Sequence, residues 1–301
     1  MKVGFIGLGA MGRPMALNLM KGGHDMAVWA RRAASTQPLA DAGARVCATP
    51  AEVARHSEVV FTMVTAGHDV EEVVLGRDGI ADGARPGGVV IDCSTIPAAT
   101  IRSIAASLQA RAIHLLDAPV SGGEPGAVAG TLSIMVGGDE TVFERMRPLL
   151  ECIGKTLVYI GGPGAGQVAK AVNQLALVVT IQGIAEAMVF ARANGVGFEP
   201  VWQAMMQGLA GSKMLEIVGQ RMMQREFVMG IDASLHHKDA HIVLQTARES
   251  CATVPGVALA AQTFNALFSE AGTRWDSAAI LKVLERASGF PERERGGPAG
   301  A

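Results

Sequence analysis

The sequence predicts an α/β protein: an N-terminal half built on a doubly wound, mostly parallel sheet, then an all-α half built around one long helix. Three observations predict it. Up to about position 162, short β-branched runs alternate with helix-like stretches; these runs are apolar at nearly every position; and beyond position 162 they stop. Strands that are apolar throughout are buried on both faces, as in parallel sheets covered by helices. A chain of 301 residues also exceeds the size at which a single core keeps growing.

The expected strands are VGFI (3–6), MAVWA (26–30), EVVFTMV (58–64), GGVVIDCS (87–94), AIHLLDAPV (112–120), TLSIMVGG (131–138) and TLVYIG (156–161). From 167 to 194 there is no proline, and the stretch AVNQLALVVTIQGIAEAMVFARA is apolar on nearly every side, so it predicts a helix enclosed by other protein. Asn173, Gln174, Gln182 and Glu186 interrupt it, which argues against a membrane span of about 20 apolar residues. Further helices are expected at 199–207, 212–224, roughly 234–248, 257–270 and 277–287. The expected domains are 1–163 and 164–288, with residues 289–301, a mixture of Gly, Pro and charge, as a disordered tail.

Composition excludes several classes. A formal net charge of −2 and 4% aromatic residues leave no basic stripe with stacking rings for nucleic acid. The four cysteines, Cys47, Cys93, Cys152 and Cys251, form no CxxC pair, so neither a zinc site nor a disulfide framework is expected. No charged leader with a long apolar run stands before Val3, and a reducing cytoplasm is the expected compartment.

Gly7, Gly9 and Gly12 form GxGxxG directly after the first expected strand and at the head of a helix expected at 11–21. In that setting the first glycine permits a tight turn, the second lets backbone approach a pyrophosphate, and the third lets helix and strand pack closely. The segment Gly7, Leu8, Gly9, Ala10, Met11 and Gly12 is therefore the candidate phosphate cradle of a Rossmann dinucleotide-binding domain, facing the positive end of a helix. An NAD site usually places Asp or Glu at the end of the second strand. Arg31 and Arg32 stand there instead, and Asp25 lies at the opposite end of that strand. Guanidiniums suit a 2′-phosphate, so NADP(H) is expected in preference to NAD(H).

Two more segments suggest chemistry. DAPVSGG (117–123) ends a strand with Ser121, Gly122 and Gly123, whose N–H groups suit a small anion-binding concavity, or simply a loop. GAGQVAKAVNQ (164–174) puts Lys170, Asn173 and Gln174 at i, i+3 and i+4, on one face of the long helix. Polar groups on a buried helix need partners, which suggests a site, although a lysine snorkelling from a helix end is the alternative. HHKDAH (236–241) places Lys238 and Asp239 on another helix; its three histidines accompany no carboxylate–histidine pattern, so no metal is expected.

On GFIGLGAMGRPMALNL, DAPVSGGEPGAVAGTLSIMVGG, GAGQVAKAVNQ and the KD of HHKDAH, in that order, the chain resembles the β-hydroxyacid dehydrogenase family over roughly residues 3–287. The resemblance implies a cofactor domain, an all-α domain and a site in the cleft between them. It makes Lys170 the catalytic lysine, Asn173 and Gln174 the amides at the substrate, and Ser121, Gly122 and Gly123 the substrate-carboxylate loop. Met63, Val64 and Thr95 fall on cofactor-contacting segments, and Lys238 reaches the cofactor side. Ala30 departs from the asparagine of many relatives.

The implied activity is hydride transfer between NADP(H) and a small 3-hydroxy acid or semialdehyde, in a homodimer or homotetramer. GLAGSKML (208–215), Asn173-Gln174 and the run from Ile231 through HHKD resemble family members that reduce tartronate semialdehyde to D-glycerate. The alternatives are 3-hydroxyisobutyrate, 3-hydroxypropionate, succinate semialdehyde or glyoxylate chemistry. An NADP(H)-binding pseudoenzyme is the alternative of another class, and retention of Lys170 argues against it.

Overall fold

A computed structural model of the protein describes residues 1–228, 230–269 and 274–291. Among the described residues nine strands form one sheet: β1 (Lys2–Ile6), β2 (Asp25–Trp29), β3 (Arg45–Val46), β4 (Val59–Thr62), β5 (Val89–Asp92), β6 (His114–Asp117), β7 (Val120–Ser121), β8 (Leu132–Gly137) and β9 (Gly154–Gly161). The order is β3-β2-β1-β4-β5-β6-β8-β7, with β9 beside β8. The pairs from β3 to β6 are parallel, β8 runs antiparallel to β6 and β7, and β9 is parallel to β8. The sheet is therefore mostly parallel and reverses direction past β6.

Apolar residues at successive positions put side chains on both faces of a strand. In β4 and β5, Val59, Phe61, Val89 and Ile91 enter one core with Phe5, while Val60 and Val90 enter the other with Ile6. Phe5 and Phe61, neighbours across β1 and β4, stack at 5.8 Å between ring centroids. Two departures from the expected strands have local causes. β3 is only two residues long, too short to carry a period. The run AIHLLDAPV divides at Pro119, which has no N–H for a ladder, so β6 ends at Asp117 and β7 begins at Val120.

No strand follows Gly161 among the described residues, which hold two isolated bridges, Val228 with Trp275 and Asp232 with Asp276. The long helix is Ala165–Ala193. Phe198–Gln207, Ala233–Ser250, Pro255–Phe268 and Ile280–Ala287 follow it, and the expected 212–224 helix contains a π stretch at Leu215–Gly219. Of the expected tail, residues 292–301 lie outside the described residues.

The chain divides into two compact units, Met1–Lys170 and Ala171–Ala301. The second has its own core, in which Val178, Ile181 and Ala185 of the long helix meet Val257, Ala261 and Phe264. That helix is long and apolar enough to cross a membrane by length and composition. Yet it carries buried Gln167, Lys170, Gln174 and Gln182. It is also less enclosed than expected: Val172 and Phe190 are 63% and 73% exposed, because the elements packed on it cover only part of its apolar circumference.

Candidate active site

In the first unit, β1 ends at Ile6 and Gly7 turns the chain with φ +96°, a conformation open to glycine at little strain. A side chain on Gly7 would strike the Met63 carbonyl, and one on Gly12 would strike the Gly7 carbonyl. Gly9 differs: a Cβ there would meet nothing within 4 Å, and the residue is exposed. The helix Gly12–Lys21 then starts with no side-chain cap and no acidic residue in its first turn. Exposed backbone at Gly9 beside uncapped helix N–H groups suits a dinucleotide pyrophosphate.

The other cofactor candidates of this unit gather at the C-terminal ends of β1, β4 and β5. Met63 N–H donates to Ile6 O at 2.9 Å, and Val64 N–H donates to Ser94 Oγ at 3.0 Å. Ser94 Oγ and Thr62 Oγ1 each donate to buried Asp92 at 2.7 Å. Thr95 sits between two hydrogen bonds from one side chain, since Gln167 donates to Ser94 O at 2.8 Å and accepts from Ile96 N–H at 3.1 Å.

Arg31 and Arg32 follow β2 on the surface, and Asp25 opens that strand, at the far end from the glycine turn. Arg31 is engaged: its guanidinium lies 3.0 Å from Asp69 Oδ1. Asp69 is buried, and its other oxygen accepts the Ala66 N–H at the start of the helix Gly67–Leu75. Sequence reading missed Asp69, whose only signal is a carboxylate in the first turn after β4.

Ser121 ends β7, paired with Ser133, and Gly122 (φ +136°) and Gly123 (φ +63°) follow it at an exposed turn. Four residues upstream, Asp117 was also missed as a functional group. Its carboxylate accepts the Gly164 N–H at 2.8 Å and the Gln167 N–H at 2.9 Å, at the N-terminus of the long helix. Burial pushes its pKa up to about 6, against the lowering effect of those two donors, and nearby Asp92 adds to the rise. Lys170 follows one turn after Gln167 and is buried. One carboxylate thus ties the strand that leads to the Ser-Gly-Gly loop to the helix turn that leads to Lys170.

In the second unit the remaining candidates form a chain of polar contacts. Asn173 Nδ2 donates to Gln174 Oε1 at 2.8 Å, Gln174 Nε2 donates to Asp239 Oδ2 at 2.5 Å, and Lys238 Nζ lies 3.2 Å from Asp239 Oδ1. Gln174, whose amide is engaged at both ends, and Asp239 are buried. Asp239, which the sequence places beside Lys238 without a partner, joins Gln174 to Lys238.

Residues 2–161 match the family model described as the NAD binding domain of 6-phosphogluconate dehydrogenase, and residues 164–284 match NAD-binding of NADP-dependent 3-hydroxyisobutyrate dehydrogenase. Over 289 residues the chain is 40% identical to 2-hydroxy-3-oxopropionate reductase of Escherichia coli K12, covering 95% of this chain and 97% of that one. It is similar to the solved structure of Mycobacterium tuberculosis 3-hydroxyisobutyrate dehydrogenase with L-serine, at 31% identity and TM-score 0.87, covering 94% of this chain and 98% of that one. Psf3 in complex with NADP+ and 2-OPP is similar at 26% identity and TM-score 0.83, covering 94% and 99%.

Proposed function

The chain belongs to the β-hydroxyacid dehydrogenase family, and from that membership we propose that it reduces tartronate semialdehyde (2-hydroxy-3-oxopropanoate) to D-glycerate with NADPH. The general activity, NAD(P)-dependent dehydrogenation of a 3-hydroxy acid or its reverse, is that of the family. The observation that carries the narrower reading is 40% identity, across 95% of the chain, to a reductase of that substrate.

In this reading the glycine turn and the N-terminus of Gly12–Lys21 hold the dinucleotide, which when bound supplies the hydride. The N–H groups of Ser121, Gly122 and Gly123 hold the substrate carboxylate and so fix the carbonyl carbon for attack. As negative charge develops on the carbonyl oxygen, the Lys170 ammonium stabilises it and donates the proton that makes the hydroxyl. Asn173 orients the substrate, and Gln174 holds Asn173 from one side and Asp239 from the other. Met63, Val64 and Thr95 border the cofactor, and Lys238 serves its side of the site in the second unit.

NADPH is preferred in this proposal because Arg31 and Arg32 stand where an acidic residue would select the 2′-hydroxyl. The protein works as a cytoplasmic homodimer or homotetramer; the exposed apolar positions Val172 and Phe190 of the long helix support association, and the free cysteines support the compartment. A second reading, dehydrogenation of L-serine or 3-hydroxyisobutyrate, is favoured by the M. tuberculosis relative. The deciding experiment follows NADPH oxidation with tartronate semialdehyde, succinate semialdehyde, methylmalonate semialdehyde and glyoxylate, and NADP+ reduction with L-serine and 3-hydroxyisobutyrate. Tartronate semialdehyde is expected to give the highest kcat/KM. A rank among the poorest substrates overturns the assignment.

A further inference from the structure

We propose that His237, His241 and Asn265 form a binding site for a divalent transition-metal ion of the zinc and nickel class, joining the helices Ala233–Ser250 and Pro255–Phe268. His237 and His241 are one turn apart on the first helix, and their Nε2 atoms approach to 3.1 Å with the rings nearly perpendicular, at 82°. Asn265 of the second helix brings its Oδ1 to 2.7 Å from His237 Nε2. His237 Nε2 is therefore flanked by a donor atom from each of the two helices.

The spacing of the two imidazole nitrogens is that of ligands. Two donors each about 2.0–2.1 Å from a common ion, at octahedral or tetrahedral angles, lie about 2.8–3.4 Å apart; the two imidazoles meet this at 3.1 Å, and the Asn265 oxygen, at 2.7 Å, stands just inside it and draws back slightly to ligate. Hydrogen bonding alone serves the three atoms incompletely, because His237 Nε2 holds either one proton or one lone pair. With a proton it must share that proton between two acceptors; with a lone pair it faces the Asn265 oxygen unfavourably. A cation attracts the lone pairs of all three. Asn265 Nδ2 lies 3.4 Å from Gln262 Oε1, with Oδ1 on the side of the imidazoles.

The surroundings favour a half-open site. His241 is exposed, so water can complete the coordination, and the Phe268 ring lies 5.0 Å from that of His237. The third histidine of the motif is committed elsewhere, with His236 Nδ1 2.6 Å from Ser277 Oγ. Among the described residues no group of three His, Cys, Asp or Glu side chains is placed to hold a metal ion. The third donor is an amide 24 positions beyond His241, where a reading of histidine spacing does not look. Two imidazoles and an amide suit Zn²⁺, Ni²⁺ or Cu²⁺, and Mg²⁺ poorly.

Equilibrium dialysis of the untagged full chain against ZnCl₂, NiCl₂ or MgCl₂ tests the proposal. The wild type is expected to bind one equivalent of Zn²⁺ or Ni²⁺. His241→Ala and His237→Ala are each expected to weaken binding at least about tenfold, and Asn265→Asp to tighten it by replacing a neutral oxygen with an anionic one. His241 is on the surface, so its truncation leaves the core intact. Equal affinity in wild type and both histidine variants, as when cysteines hold the metal, overturns the proposal. So does the absence of saturable binding, or equal binding of Mg²⁺.

Discussion

Asp117 and Gln167, fifty positions apart in sequence, meet where the Asp117 carboxylate accepts the Gln167 backbone N–H at 2.9 Å. The other carboxylate oxygen takes the Gly164 N–H. A protonated carboxyl has one fewer acceptor to offer, so the start of the long helix is held best when Asp117 is ionised. Burial opposes that ionisation and raises its pKa to about 6 from 3.8. Between about pH 4 and pH 6 the folded chain holds a proton that the unfolded chain has released, so this group subtracts stability as pH rises through that window and levels off above it.

Asp117→Asn removes this titration. The stability difference between variant and wild type is expected to shift in favour of the variant by up to about 3 kcal/mol from pH 4 to pH 6.5. At any fixed pH the variant also loses one acceptor for a buried N–H, about 1–3 kcal/mol. Denaturant unfolding of both proteins at the two pH values checks this; parallel pH dependences would contradict it.

Arg31 and Asp69 set a second expectation. Arg31→Ala is expected to lower kcat/KM for NADPH by roughly 10- to 100-fold and to leave NADH nearly unchanged, the scale of one charge-assisted hydrogen bond of about 1.5–3 kcal/mol. Asp69→Asn frees the guanidinium and removes a carboxylate from its neighbourhood, while its side-chain oxygen still accepts the Ala66 N–H. The ratio of kcat/KM for NADPH over NADH is expected to rise in that variant. Steady-state kinetics with both cofactors measure each change.

The fold and part of the candidate site were legible in the sequence for a physical reason. Gly7 and Gly12 occupy positions where a side chain would strike backbone, so their identity alone marks the turn. Apolar runs on both faces announce a buried parallel sheet. The missed partnerships join residues far apart along the chain. Asp69 meets Arg31 across 38 positions, Asp239 meets Gln174 across 65, and Asp117 reaches Gly164 across 47. No local period encodes such a pair. Asp117 and Asp239 stood inside quoted motifs, yet their partners emerged only from the folded chain.

Glu285 supplies a prediction apart from the chemistry. It is buried and lies 3.1 Å from Arg192 Nη1 and 2.7 Å from Arg225 Nη1. Arg225 also stacks over Phe227 at 4.8 Å, which fixes its plane. Glu285→Gln leaves two guanidiniums facing a neutral amide and is expected to destabilise the protein by roughly 3–5 kcal/mol, the range for breaking a buried ion pair. Thermal unfolding reads the loss; an unchanged midpoint would contradict the role given to this carboxylate.

In the proposed reaction Lys170 delivers the proton that completes aldehyde reduction. The most direct test of this role is kcat for NADPH-dependent reduction of tartronate semialdehyde by Lys170→Ala beside wild type, with NADPH affinity measured in parallel by fluorescence. A fall of about 10²–10⁴ in kcat is expected, the scale of general acid–base catalysis, with NADPH affinity retained. Turnover close to wild type in a variant that still binds NADPH would contradict it.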